Sequence, residues 1–316
     1  MMKLFELALQ NQLDTLKNEV TDINILDHKR RTLLHHAIIG NSTETVLWLI
    51  KEGINVNAID ESGETALFES VRRSNLDFAK LLITHGANPN IPNHRYELPI
   101  HIAAHRGDWD MIKLLVEAQT ILTRKASDDK QLIHYAILGG QVELVPKIIE
   151  LTNGSYFVKD EYGNTLLHYA TRTSSLPMVK FLVEKGLDVN ALNDQYETPI
   201  FSSVKNNNFE IVKFLVKEGA FIDIKNRRFE TPHDIAIIHD RDEIQSYLEE
   251  TQYQPFYQEH KKSQALTLAV LNRDYHEIRV LALAHTRLRP NKLGKTALDY
   301  AKEYRMKSAV QILNEL

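Results

Sequence analysis

Hydrophobic and polar positions along the chain follow two alternating helical patterns, one short and one longer. In the segment 160–190, Gly163 stands where a tight turn needs an unusual backbone conformation. Thr165 follows at a position from which its side chain can cap a short helix that runs from Leu166 to about Arg172. A second apolar pattern then recurs at spacings of three and four residues, which is typical of an amphipathic helix. Its members are Met178, Val179, Leu182 and Val183.

This arrangement returns along the chain with a period of 33 residues and a single step of 34. The repeated segment begins at Thr32, Thr65, Leu98, Gln131, Thr165, Thr198 and Thr231. A degraded copy begins at Gln264 and a further copy at Thr296. A fixed period in the range of 20 to 50 residues predicts a solenoid built of stacked units.

The repeated segments, such as Thr165-Leu-Leu-His-Tyr-Ala170, resemble the Thr-Pro-Leu-His-x-Ala signature of the ankyrin repeat family. The resemblance covers essentially the whole chain. It implies an all-α fold, an ankyrin-repeat solenoid of about ten helix-turn-helix units with short β-hairpin loops. It also implies a role in binding other proteins through the concave face formed by hairpins and first helices.

The period predicts a single array over residues 1–316. Its expected parts are an N-terminal cap pair (1–26), seven repeats (27–252), a degenerate repeat (253–290) and a C-terminal capping repeat (291–316). The array is not expected to break at the degenerate repeat. Within it, residues 253–262 have lost the hairpin sequence, which leaves open whether they form a hinge or a binding loop.

The fourth repeat departs from the pattern at three places. It has Asp129 at the turn-glycine position, Pro146 inside the second helix and one extra residue near Asn153. An interior proline removes a helix hydrogen bond. We therefore expect a kink at Pro146 and an altered twist between the units that begin at Gln131 and Thr165.

Composition excludes several classes of protein. Hydrophobic residues make up 43% of the 316 residues and charged residues 25%, a balance typical of a folded soluble protein. The absence of cysteine excludes disulfides, thiolate metal sites and thiol nucleophiles. The N-terminal residues lack the apolar run of a signal peptide, and no stretch is apolar enough to span a membrane. A cytoplasmic location is expected, and secretion as an effector without a classical signal peptide is left open.

The sequence offers no catalytic or metal-ligating constellation. His35, His101, His134 and His168 share one repeat position, so they lie on successive units and cannot converge on one ion. The family resemblance implies instead that each imidazole ties neighbouring loops together by a hydrogen bond. No serine stands in a nucleophile elbow and no glycine-rich phosphate loop is present. We expect neither an enzyme nor a cofactor.

Basic and aromatic residues recur at the ends of the first helices and in the hairpins. The candidate partner-binding residues are Arg72, Arg73, Arg95, Tyr96, His105, Arg106, Tyr162, Arg172, Tyr196, Lys205, Arg228 and Phe229. Exposed tyrosine and phenylalanine beside arginine are typical of interface hot spots. The alternative is that a hairpin aromatic covers the neighbouring hairpin and that the charges are solvated tips.

The sequence therefore predicts a protein-binding scaffold or inhibitor, whose partner protein presents an acidic or aromatic-compatible surface. The alternative function is polyanion or nucleic-acid binding through the same basic column. A formal net charge of −4 and acidic hairpin residues such as Glu97 and Glu230 disfavour that alternative. No small-molecule substrate or membrane association is expected, and the chain is expected to be a monomer.

Overall fold

The computed structural model describes residues 2–284 and 286–316. Met1 and His285, which the boundaries above include, lie outside the described residues. Within the described part, regular structure consists of 21 α-helices, one short 3₁₀ helix (Ser127–Asp129) and two isolated β-bridges. The all-α fold of about ten helical pairs is therefore confirmed. The chain divides into two compact units, Met1–Gly154 and Ser155–Leu316.

The first unit consists of helical pairs in chain order. Its helices are α1 (Met2–Leu9), α2 (Leu13–Glu19), α3 (Leu33–Ile39), α4 (Thr43–Lys51), α5 (Ala66–Arg72), α6 (Leu76–Thr84), α7 (Pro99–Arg106), α8 (Trp109–Glu117), α9 (Leu132–Leu138) and α10 (Leu144–Thr152). The first helices of successive pairs pack against each other in the order α1, α3, α5, α7 and α9.

The second unit begins with three further repeats and ends with five helices. Its helices are α11 (Leu166–Ala170), α12 (Leu176–Glu184), α13 (Pro199–Lys205), α14 (Phe209–Lys217), α15 (Pro232–Ile238), α16 (Asp242–Thr251), α17 (Pro255–Ser263), α18 (Ala265–Leu271), α19 (Tyr275–Leu283), α20 (Ala297–Glu303) and α21 (Lys307–Leu313). Helix α13 packs between α11 and α15, whereas α18 packs against α17, α19 and α20.

The loop before each first helix from α3 to α15, and the loop before α20, closes into a five-residue turn that we call a finger. In the finger 93–97, the backbone N–H of Asn93 donates to the carbonyl oxygen of Glu97 at 2.9 Å. The side-chain oxygen of Asn93 accepts the backbone N–H groups of Arg95 and Glu97 at 2.9 and 3.0 Å. An aspartate or asparagine caps the other regular fingers in the same way, at Asp27, Asp60, Asp160, Asn193, Asn226 and Asn291. Side-chain capping of this kind satisfies the polar groups of a tight turn.

Successive fingers are joined by backbone hydrogen bonds. The N–H of His94 donates to the carbonyl oxygen of Ser62 at 2.9 Å, and the N–H of Arg227 donates to that of Gln195 at 2.9 Å. Each finger is therefore fixed by the one before it as well as by its own cap. This pairing places the finger tips in register along each unit.

Pro146 is not an interior helical residue. Helix α10 begins at Leu144, two residues later than the second helices of the other repeats, so Pro146 lies in its first turn. The preceding residues form a tighter turn, in which the N–H of Leu144 donates to the carbonyl oxygen of Gln141 at 3.0 Å. A first-turn N–H has no partner within the helix, so proline removes nothing there. The predicted interior kink is wrong; the altered twist stays a prediction.

One repeat position of the first helices is buried up to α13 and becomes exposed in α15. Ile237 is 48% exposed, although Val204, at the same repeat position of α13, is fully buried. The same position is also buried in every earlier repeat, at Ile38, Val71, Ala104, Ile137 and Thr171. The face of α15 that a following repeat would cover is therefore open at Ile237.

Helices α17–α21, which we call the C-terminal arm, contact earlier loops of the same unit. The hydroxyl group of Tyr300 in α20 donates to the carboxylate of Asp188 at 2.6 Å. Tyr257 in α17 meets the loop at Asp223, where its hydroxyl donates to the carboxylate at 3.0 Å. The sequence did not predict these contacts, which join residues more than 30 and more than 100 positions apart.

Candidate functional site

A groove in the first unit is lined by three of the twelve predicted binding residues, Arg72, Arg95 and His105. It has a volume of about 860 Å³ and lies between the fingers 60–64 and 93–97 and the first helices α5, α7 and α9. Its arginine, carboxylate and histidine lining consists of Arg31, Asp60, Glu61, Glu64, Glu69, Arg72, His94, Arg95, Glu97 and His105. Ile102, Tyr135 and Leu138 add apolar surface.

Arg72 lies at the centre of an ion-pair network in this groove. Its guanidinium group donates to Glu64 of the finger at 2.6 Å and to Glu69 of its own helix at 2.9 Å. Arg73 donates to the other carboxylate oxygen of Glu69 at 2.6 Å. The two arginines thus hold each other in place through Glu69, and their charges are matched within the protein.

Glu97 continues the network on the far side of the groove. Its carboxylate accepts a hydrogen bond from the hydroxyl of Tyr135 at 2.9 Å and another from the side-chain amide of Asn93 at 2.8 Å. Three arginines and five acids line the groove in all, so its net charge at neutral pH is negative. The arginines of the expected basic column that lie in this groove are therefore accompanied by a larger number of carboxylates.

Tyr96 projects from the tip of the finger beside this groove. Its side chain is 60% exposed, and its backbone has φ +59°. That left-handed conformation follows a tight turn closed by the N–H of Tyr96 and the carbonyl oxygen of Asn93 at 2.9 Å. Arg106, at the end of α7, donates to the hydroxyl of Ser74 in the preceding repeat at 3.2 Å.

The second unit holds the other six predicted residues. Lys205 is paired with Glu197 at 2.7 Å, and the guanidinium of Arg172 lies 5.0 Å from the ring centre of Tyr169. Lys205 and Arg228 line a smaller groove of about 510 Å³ with Glu197, Glu230 and Ile238. Phe229 stands at the finger tip beside it, 81% exposed and at φ +63°.

Tyr196 and Tyr162 have different surroundings, although both were predicted as binding residues. Two arginines contact the ring of Tyr196, with the guanidinium carbons of Arg227 and Arg273 at 4.8 and 3.3 Å from its centre. Tyr162 is exposed, and its carbonyl oxygen accepts the N–H of Asp194 in the next finger at 2.9 Å. Tyr196 is thus engaged by the C-terminal arm of its own chain.

Two histidines at the shared repeat position, His35 and His168, link neighbouring loops as the family resemblance implies. The Nδ1 atom of His168 accepts the N–H of Thr165 at 3.2 Å, and Nε2 lies 3.0 Å from the carbonyl oxygen of Glu197 in the next finger. His35 makes the corresponding contact with Glu64 at 3.2 Å. Burial lowers the pKa of His168 and of His101 to about 4, so both imidazoles are neutral at pH 7.

Two features are absent from the described residues. No group of three or more His, Asp or Glu side chains there is arranged to hold a metal ion. None of the described helices has the length and hydrophobicity needed to cross a membrane.

Models of known families match most of the chain. A model of ankyrin repeats in three copies matches residues 4–93, 75–160 and 100–193, and a model of the single ankyrin repeat matches residues 195–227. The chain belongs to the ankyrin repeat family. Ankyrin repeats are generally protein–protein interaction modules and are typically non-catalytic. The matched residues end before α15, so the C-terminal arm lies beyond them.

The ankyrin repeats are similar in sequence to part of two ion channels. A stretch of 91 residues is 34% identical to the human transient receptor potential cation channel subfamily A member 1 and covers 28% of this chain and 8% of that protein. A stretch of 79 residues is 33% identical to its Caenorhabditis elegans homologue, covering 25% of this chain and 6% of that protein. The chain thus matches less than a tenth of the length of these relatives.

A solved structure supports the fold. The ankyrin repeat domain of human ASB11 superposes with a TM-score of 0.57 at 22% sequence identity. The similarity covers 68% of this chain and 96% of that one. At this level of identity it shows the ankyrin fold alone.

Proposed function

We propose that this ankyrin repeat protein is a non-catalytic scaffold or inhibitor that binds a partner protein along the groove of its first unit. Tyr96 is the main anchor in this proposal, and Arg72, Arg95 and His105 border the groove beside it. The observation that carries it is the exposed ring of Tyr96 on a left-handed backbone. The two channel relatives do not identify the partner.

The backbone at Tyr96 costs free energy that glycine would avoid. A left-handed conformation costs an ordinary residue about 1–2 kcal/mol, and Gly63 occupies the same finger position in the preceding repeat. The ring of Tyr96 does not recover this cost by burial, because more than half of the side chain is exposed. Strain kept beside a groove is typical of functional positions. A large, rigid aromatic side chain at a surface is also typical of an interface hot spot.

The charge of the groove restricts the partner. Because acids outnumber arginines in its lining, an acidic segment would meet net repulsion, and a neutral or basic segment is favoured. The same argument weighs against polyanion binding through this groove, since Glu64, Glu69 and Glu97 would lie close to phosphate groups. The partner we propose is therefore a protein segment with an apolar or aromatic residue for Tyr96.

The test compares two glycine substitutions at equivalent finger positions. Tyr96→Gly removes the ring, and Arg30→Gly makes the same change in the finger 27–31, where Arg30 has φ +59°. Both variants place glycine at a left-handed backbone position and so remove the strain of a non-glycine residue there. We therefore expect each to raise the free energy of unfolding by up to about 1 kcal/mol. Only Tyr96→Gly should weaken binding, by tenfold or more for a hot-spot aromatic, roughly the effect of 1.4 kcal/mol or more.

Binding is measured by quantitative affinity capture, with the wild-type protein and both variants immobilised at equal density. Proteins retained by the wild type and by Arg30→Gly but lost with Tyr96→Gly support the proposed surface. Equal yields on all three proteins would place the partner elsewhere and contradict the proposal. Urea unfolding of each variant shows whether the variant is folded, so that the loss of a captured protein is not caused by unfolding of the variant.

A further inference from the structure

The C-terminal arm binds the loops that lead into the fingers of the second unit. The segments 188–192 and 221–225 precede the fingers 193–197 and 226–230, and we call these two segments the finger edge. The hydroxyl of Tyr304 accepts the backbone N–H of Leu192 at 2.8 Å. The side-chain oxygen of Asn272 accepts the backbone N–H of Lys225 at 2.9 Å. Each contact joins the end of a first helix in the arm to one N–H of the finger edge.

These two contacts follow a matched spacing. Leu192 and Lys225 occupy the same position of successive repeats, because each directly precedes the first residue of its finger. Asn272 and Tyr304 likewise occupy one position of successive arm units, directly after α18 and α20. The order of the two contacts along the chain is reversed, because Asn272, the earlier arm residue, binds Lys225, the later residue of the finger edge. The arm therefore runs back along the finger edge, with one contact of this kind in each repeat.

Side chains of opposite charge strengthen this docking. The ammonium group of Lys295 lies 3.4 Å from the carboxylate of Asp188, and that of Lys261 lies 3.1 Å from Asp223. Lys292 is paired with Glu218 at 3.0 Å. Asp188 and Asp223 of the finger edge, and Glu218 just before its second segment, are thus paired with lysines of the arm. Pairs of this kind at a partly exposed surface are individually weak and are screened by salt.

Two tyrosines of the arm donate hydrogen bonds to the aspartates of the finger edge. The Tyr257 hydroxyl accepts the N–H of Ile222 at 2.9 Å while it donates to Asp223. The Tyr300 hydroxyl donates to Asp188. Burial, reinforced by these carboxylates, raises the pKa of both phenols, so each stays protonated and remains a hydrogen-bond donor.

We propose that the C-terminal arm is an internal ligand of the finger edge and that it binds and releases as one body. In the closed state it covers the N–H groups of Leu192, Ile222 and Lys225, and Arg273 holds the ring of Tyr196. Release exposes Asp188 and Asp223 together with the N–H groups of Leu192 and Lys225 at the repeat spacing, and it frees the ring of Tyr196. The arm in this way controls access to a surface that is separate from the groove of the first unit.

The test is residue-resolved amide hydrogen exchange on the full-length protein. A ligand that releases as one body exposes all of its contacts in the same opening event. We therefore expect the amides of Leu192, Ile222 and Lys225 to share one opening free energy, lower than that of the Val204 amide in α13. Tyr304→Phe removes one hydrogen-bond acceptor and should speed exchange of all three amides by about five- to tenfold.

A second variant tests the coupling from the other end of the arm. Asn272→Ala should speed exchange at Leu192 as well as at Lys225, although Leu192 contacts Tyr304. The matched control is Tyr253→Phe, which removes the hydroxyl of a tyrosine that is exposed just before the arm and should change none of the three amides.

Two outcomes would overturn the proposal. One is that Tyr304→Phe changes only Leu192 and Asn272→Ala changes only Lys225, since the contacts would then open independently. The other is that all three amides exchange as slowly as that of Val204, since the arm would then be a permanent part of the fold. The exchange measurement concerns residues of the second unit alone. Its result therefore does not depend on whether a partner binds at Tyr96.

Discussion

The imidazole of His168 joins two neighbouring repeats, because its Nδ1 accepts the N–H of Thr165 while its Nε2 donates to the carbonyl oxygen of Glu197 at 3.0 Å. Burial lowers the pKa of His168 to about 4 from an ordinary value of 6.5. Between these two values the unfolded chain binds a proton that the folded chain does not. The stability linked to His168 is therefore complete above pH 6.5 and is lost progressively as the pH falls to about 4.

The loss at pH 4 amounts to about 3 kcal/mol for one imidazole with this shift, at about 1.4 kcal/mol for each unit of pKa. Urea unfolding between pH 7.5 and pH 4.5 measures it. His168→Gln should lower stability at pH 7.5 and make the decline toward acid shallower. His239→Gln, at an exposed imidazole, should leave the slope unchanged. Parallel pH profiles for the wild type and His168→Gln would show that the buried imidazole is not the group responsible.

Serine substitutions at equivalent positions test where the stack of repeats ends. Val204→Ser removes a fully buried side chain between first helices and should cost about 2–4 kcal/mol of the free energy of unfolding. Ile237→Ser affects a side chain that is 48% exposed, so we expect a cost below about 1 kcal/mol. Chemical denaturation compares the two. Equal costs would mean that another repeat covers α15 in solution.

Proline substitutions in α10 test the late start of that helix. Pro146→Ala should change the free energy of unfolding by less than about 1 kcal/mol, because a first-turn N–H has no partner within the helix. Glu150→Pro introduces the same residue at an exposed interior position of α10 and should cost roughly 3 kcal/mol. Thermal or urea unfolding measures both changes. A stabilisation of 3 kcal/mol by Pro146→Ala would show instead that the proline strains the helix interior.

The helical pairs and the finger spacing could be predicted because their signals are local and recur. A threonine before an apolar triplet, with a small residue at a fixed distance, can be recognised without any information about the rest of the chain. The pairing of Glu69 with Arg72 and Arg73 could also have been predicted, since charges three and four residues apart meet on a helix. The contact of Arg72 with Glu64 could not, because it depends on how the finger folds over α5.

The return of the C-terminal arm could not be predicted from the period. Its contacts join residues as far apart as Asp188 and Tyr300, and local periodicity carries no information about such pairs. A weak signal exists in α16, where Gln245 stands at the position that Val212 occupies in α14. A polar residue at a position otherwise buried is typical of a terminal capping repeat. The expected boundaries of the degenerate and C-terminal repeats stay predictions.

The matched spacing of Asn272 and Tyr304 with Lys225 and Leu192 also limits how this gene can change in length. Arrays of repeats commonly gain or lose whole units, since each unit contacts only its neighbours. Here, deletion of the repeat between Leu192 and Lys225 would leave one arm contact without its counterpart, and duplication would insert a step that the arm cannot span. On the proposed docking, copy number in this part of the chain is therefore constrained by residues encoded 47 and 112 codons downstream of their partners.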